Sequence, residues 1–321
     1  MLFPPEAAWR VQRDTNTDTP LPADEPAGQN PPDGAMIDYN LAHDAHGPVI
    51  LEVLDSAGKL LRRYSSEDPV TPTPETLRSE LIPLVWPQIR GPLPATAGMH
   101  RWVWDLRATA PTATRYEYPI SAVPHRTPLE PQGPLVLPGT YTLRLTANGQ
   151  SESAPLVVKL DPRVHTSTAD LKTLHSAQVS MAASLDALAK ADLAAHAVAE
   201  QLAVPGKSDL ATQLAPFGAT LKTLLDGTGP DDAKRLPGID EVTGESTQLY
   251  GELQQADAAP TAALLAAVAQ VEKEGEAVLP AWDQFRQKQL PQINQKLLGA
   301  HRPPIDLRRQ PENMPETGDE D

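Results

Sequence analysis

The sequence predicts a multidomain chain: an antiparallel β-sandwich followed by an α-helical bundle or helical hairpin. Three observations carry that reading. Residues 35–162 alternate apolar and polar side chains between Gly- and Pro-rich turns, the period of a half-buried strand. From residue 165 the apolar spacing becomes three to four, the period of an amphipathic helix. The 321 residues suffice for two domains, and the 35 prolines with 4% aromatics favour modest cores joined by extended connectors.

Residues 1–34 form a Pro-rich segment read as extended and irregular, because proline removes backbone donors and turns its neighbours away from the helical region. Strands are expected at AMIDYNLA from Ala35 and on either side of the Asp55-Ser-Ala-Gly58 turn. Val49, Leu51 and Val53 then share one face. Val70–Ala97 is broken by prolines and reads as a long loop. In GMHRWVWDLR, which starts at Gly98, Trp102, Trp104 and Leu106 share a face opposite Arg101, Val103, Asp105 and Arg107. A second Pro-rich loop covers Ala108–Pro138. A hairpin about Asn148-Gly149 then closes the unit, with Tyr141, Leu143 and Leu145 on one side. Six such strands in one sheet would leave one face wet, whereas two packed sheets bury both.

Past Arg163, Ser167 to Asp170 forms a capping box with Asp in place of Glu. Leu171, Leu174, Gln178, Met181, Leu185 and Leu188 mark the stripe of a first helix that ends near Pro205-Gly206. A second helix is capped by Ser208 and interrupted by Pro216. A third runs from Ile239 to about Ala256, and a fourth from near Pro260 with a kink at Pro280. A short last helix, LPQINQKLLG, stops at Gly299. Residues 301–321 read as an acidic disordered tail.

The net charge of −15 repels polyanions, and no basic stripe interleaved with aromatics is present, so nucleic acid is not an expected partner. No apolar run approaches the ~20 residues of a membrane span. Absence of cysteine removes disulfides, thiol chemistry and Cys-based zinc sites.

LFPPEAAWRVQRDTNTDTPLPADEPAGQNPPDGAMIDYNL, PVILEVLDSAGKLLRRY, GMHRWVWDLR, LPGTYTLRLTANG and VKLDPR follow one another along the chain. In that order they resemble the C-terminal region of bacterial sortilin-type propeller proteins, often labelled glycosyl hydrolases with Asp-box (BNR) repeats. The resemblance implies an Ig-like antiparallel β-sandwich over 35–162, similar to the flagellar hook-capping protein domain, and a helical bundle over 163–300. It also implies a protein partner, a β-propeller chain or domain, and a periplasmic or extracellular location. The departure is equally informative. No Ser-x-Asp-x-Gly-x-Thr-Trp repeat occurs, so no residue of a propeller carries over. Met-Leu-Phe-Pro-Pro-Glu has neither the basic region nor the apolar core of a signal peptide, so the chain as given is expected to remain in the cytoplasm.

Candidate surface or binding residues are few. Asp105 and Arg107 share the outward face beside the tryptophans and are candidates for a site, although same-face residues two apart on a strand more commonly form a surface ion pair. His43 and His46, three apart around Asp44, have a spacing that metal ligands use, without a third ligand in the sequence nearby. Trp102 and Trp104 share parity with Leu106 and read as core filling. No nucleophile motif, phosphate loop or cofactor motif is found, so no catalytic residue, metal or cofactor is assigned. The expected role is a non-catalytic accessory module that docks on another protein. The alternatives are a fragment of a BNR-repeat glycoside hydrolase and a carbohydrate-binding sandwich, the latter without a supporting residue pattern.

Overall fold

The computed structural model of the chain describes residues 1–12, 22, 24–26, 28, 31–119, 123–203, 208–228, 235–309 and 311. They divide into two units: a β unit of Met1–Ala110, Tyr116–His175 and Ala256–Ala259, and a helical unit of Pro111–Arg115, Ser176–Gln255 and Pro260–Asp321.

The β unit has strands β1 (Ala8–Arg10), β2 (Ala35–Leu41), β3 (Ile50–Leu54), β4 (Leu60–Ser65), β5 (Gly98–Trp104), β6 (Gly139–Ala147) and β7 (Gln150–Leu160). Five of them form a mixed sheet in the order β1-β7-β6-β3-β4, in which only β1 runs parallel to its neighbour. β2 and β5 form a separate antiparallel pair. β1 thus places a strand inside the segment read as irregular. Its pairing of Ala8 with Val158 and Arg10 with Leu160 draws on a neighbouring sheet edge that local sequence does not reveal.

The turns follow the residues that allow them. Asn148 and Gly149 both have positive φ, +50° and +75°, as the two-residue β6–β7 hairpin requires. Gly34 sits at φ +121° with Trp104 O only 2.0 Å from where a Cβ would stand, so no other residue fits there. The Val70–Ala97 loop contains a short helix, α1 (Pro74–Ser79), which the sequence reading missed. Thr73 caps it, Pro74 opens it and Leu77 anchors it in the interior.

Apolar residues from both sheets belong to one core cluster. Ile37, Tyr39 and Trp104 come from β2 and β5; Leu51, Val53, Leu143, Leu145 and Leu156 come from β3, β6 and β7. The period-two faces read from sequence are therefore the buried ones.

The helical unit is built from α2 (Thr168–Leu202), whose residues up to His175 belong to the β unit, α3 (Asp209–Asp226), α4 (Ile239–Gln254), α5 (Ala262–Gln284) and α6 (Leu290–Gly299). Ser167 caps α2: its Oγ accepts from Asp170 N at 3.1 Å and donates to Asp170 Oδ2 at 2.7 Å. All six residues of the α2 stripe are buried, and Gln178 donates its amide N–H to Leu253 O at 2.7 Å. Ser208 caps α3, and Thr261 caps α5, which starts at Ala262, two residues after Pro260. α5 packs on α2 through Gly275, where a Cβ would meet Leu188 Cδ1 and Ser184 Oγ at 3.4 Å.

After Pro280 the helix widens into a five-residue π segment, Phe285–Gln289, before α6 begins. Ile305 is buried, and Gln201 and Asp306 exchange two hydrogen bonds. Residues 310 and 312–321 of the expected acidic tail, and residues 13–21, 23, 27, 29 and 30 of the N-terminal segment, lie outside the described residues.

Candidate functional site

The Trp-Asp-Leu-Arg stretch is a closed turn. The buried Trp104 donates its indole N–H to Arg107 O at 2.8 Å, and Asp105 Oδ1 accepts from Arg107 N at 3.2 Å. Leu106 stands between them at φ +59° with its side chain in the core. Trp104 meets Tyr141 edge-on, and the partly buried Trp102 meets Tyr64 edge-on at 5.0 Å. Each tryptophan thus has an interior aromatic partner. Of the two residues nominated beside them, Asp105 accepts from Arg90 at 3.3 Å and Arg107 donates to Gly133 O at 2.9 Å.

His43 and His46 lie exposed in the β2–β3 loop, where His46 N donates to Asn148 Oδ1 at 2.8 Å. Among the described residues, neither belongs to a cluster of three metal-donor side chains.

Two groups that the sequence did not flag are more distinctive. The first is in the β unit. Arg10, 1% exposed, follows the inward parity of Ala8 on β1. It donates to Val136 O at 2.7 Å and grips Asp257 with Nε, at 3.1 Å, and Nη2. Asp257, whose side chain is 3% exposed, is thus a matched counter-ion, and Thr166 donates to its carbonyl. Burial, with Arg10 close by, holds the His175 imidazole below its ordinary value, against a backbone hydrogen bond with Leu135.

The second group is in the helical unit. Asp192 and His196 are four apart on α2 and therefore on one helix face. Asp240, in the first turn of α4, meets them there. His196 Nε2 lies 3.1 Å from Asp240 Oδ1 and 3.3 Å from Asp192 Oδ1. Asp192 is the deepest of the three at 5% side-chain exposure, and its Oδ1 has no hydrogen-bond partner. Burial, reinforced by the Asp240 carboxylate, pushes the Asp192 carboxyl above the usual range. The hydrogen bond to Asp240 raises the His196 imidazole, while burial opposes the rise.

The only sequence signal for this group is the Asp-x-x-x-His spacing within KADLAAHAVAE. It sits in an Ala-rich helix whose stripe of large apolar residues drew the reading elsewhere. Asp240 joins through tertiary packing alone. No family profile, curated protein or solved structure matches the chain.

Proposed function

We propose that the chain is a non-catalytic accessory module that docks on another protein, a β-propeller chain or domain of the sortilin-type proteins whose C-terminal region it resembles. One observation carries this reading. Two loops of the β unit are joined by backbone hydrogen bonds from His125 N to Val85 O, at 2.7 Å, and from Thr127 N to Trp86 O, at 3.1 Å. These loops hold out Leu81, Leu84, Val85, Ile89, Tyr116 and Val123 as exposed side chains, Leu81 at 89%. Apolar groups held in water by ordered loops are the ordinary material of a protein interface.

The edge-on contacts of Trp102 with Tyr64 and of Trp104 with Tyr141 favour docking over a sugar platform built on those rings. The pooled core of the two sheets supports the finer reading of the β unit as an Ig-like, hook-capping-like sandwich. The same resemblance points to a periplasmic or extracellular site of action. The described residues contain no helix long and apolar enough to cross a membrane.

The test is a pull-down with the full chain against propeller chains encoded nearby, repeated with Leu81→Asp and Val85→Asp together. Capture by the parent chain and loss in the double variant is the expected result. Equal capture by both, or hydrolysis of a glycoside panel by the isolated chain, would remove the reading.

A further inference from the structure

We propose that Asp192, His196 and Asp240 bind one divalent transition-metal ion of the Zn²⁺ class through Asp192 Oδ1, His196 Nε2 and Asp240 Oδ1. Four features of the cluster support this.

The first is spacing. Donors held ~2.1 Å from one tetrahedral ion stand about 3.4 Å apart. The histidine nitrogen lies 3.1 and 3.3 Å from the two carboxylate oxygens, and all three donors lie within 4.8 Å of one another. The two histidine–carboxylate separations are thus already those of donors around one ion, and the carboxylate pair is bounded at 4.8 Å.

The second is the unpartnered Asp192 Oδ1. Its side chain is about nineteen-twentieths buried; Thr243 hydrogen-bonds the carboxyl, but Oδ1 itself accepts no hydrogen bond and has only the imidazole nitrogen 3.3 Å away. A buried acceptor left without a hydrogen bond is costly unless a ligand completes it.

The third is charge. Two carboxylates share one imidazole as their ion-pair partner among the described residues, and Lys222 acts on Asp240 only from beyond ion-pair distance. By contrast, Arg10–Asp257, Arg101–Asp38 and Arg144–Glu52 each set one base against one acid. A divalent cation supplies the missing positive charge.

The fourth is donor type and access. One imidazole with two carboxylates suits Zn²⁺, Mn²⁺ or Co²⁺ better than the all-oxygen preference of Mg²⁺ and Ca²⁺. His196 and Asp240, 14% and 28% exposed, leave a route to solvent and room for water in the remaining positions. Three protein donors plus water is the open arrangement of zinc sites that are not purely structural.

The full chain, stripped with EDTA, is titrated with Zn²⁺ by calorimetry and with Co²⁺ by visible absorption. One ion per chain is expected, with cobalt bands of low coordination number. Asp240→Asn and His196→Gln should each weaken binding by more than the ~10–100-fold typical of losing an outer-shell partner. Asp240 is the most exposed of the three, and circular dichroism verifies the fold of each variant. No binding to the parent chain overturns the proposal. So does unchanged affinity in both variants, which would place the ion elsewhere, for instance on His43 and His46. Should a variant fail to fold, the parent titration together with the rise of its melting temperature on adding Zn²⁺ decides, and a flat melting temperature counts against the site.

Discussion

The two units treat buried charge in opposite ways. In the β unit, Arg10 and Asp257 are both nearly inaccessible, and each is answered: the guanidinium binds both carboxylate oxygens and a carbonyl. In the helical unit, two acids converge on one histidine, and the most buried oxygen is left without a partner. The first arrangement is complete as it stands and its job is structural. The second is where the proposed ion would complete the set. Burial alone therefore does not mark a functional group, nor does one unmade hydrogen bond, of which both units have others; converging donors with more acids than bases set the helical cluster apart.

That contrast can be broken at either end. Asp257→Ala strands a buried guanidinium and should cost about 3–5 kcal/mol in urea unfolding. Asp192→Asn in metal-free buffer should cost less than ~1 kcal/mol, since it removes a charge that burial already disfavours. Equal losses in the two variants would erase the distinction. Trp104→Ala removes a fully buried ring together with the indole bond that closes the turn at Arg107, at an expected cost of about 3–5 kcal/mol. A loss below ~1 kcal/mol would mean that the tryptophan is not core.

Gly275→Ala should stabilise the helical unit by about 0.5–1 kcal/mol, because alanine favours the helix and its methyl meets only side-chain atoms at 3.4 Å. Destabilisation on chemical unfolding would show that α2 and α5 are packed too closely to accept a methyl. The smallest effect is a pH dependence from His175. Its folded value is held down, so the unfolded chain takes up the proton first as pH falls below about 6.5. The stability it permits is full above that range and declines below it. The melting temperature of the parent chain should drop between pH 7.5 and 5.5 more than that of His175→Asn. An NMR titration placing His175 at or above the ordinary imidazole value would refute this.

Local patterns in the sequence located most elements because each rests on short-range physics. The alternation of Val49, Leu51 and Val53, the Asn148-Gly149 turn and the cap at Ser167 all depend on nearest neighbours. The stripe from Leu171 to Leu188 was legible for the same reason, as was α6 from Leu290 to Gly299. What escaped depends on distant partners. β1 exists because β7 offers an edge, and Arg10 is buried because Asp257, 247 residues away, receives it. Asp192 and His196 carried a visible spacing, but nothing in the sequence indicated that Asp240 closes the group.

The π segment between α5 and α6 has a consequence for chain length. Buried positions run Val268, Val271, Gly275, Val278, Trp282 and Phe285 in steps of three and four, then jump five to Leu290 before resuming at Ile293 and Leu297. One surplus residue is stored in that wide turn. Each residue rotates a helix by about 100°, so an ordinary α-turn holding the same number of residues would swing the last apolar face round towards water. Evolution can therefore trim one residue between Arg286 and Gln289 and recover an unbroken helix with its contacts in phase, whereas adding one there has no slack left to absorb it.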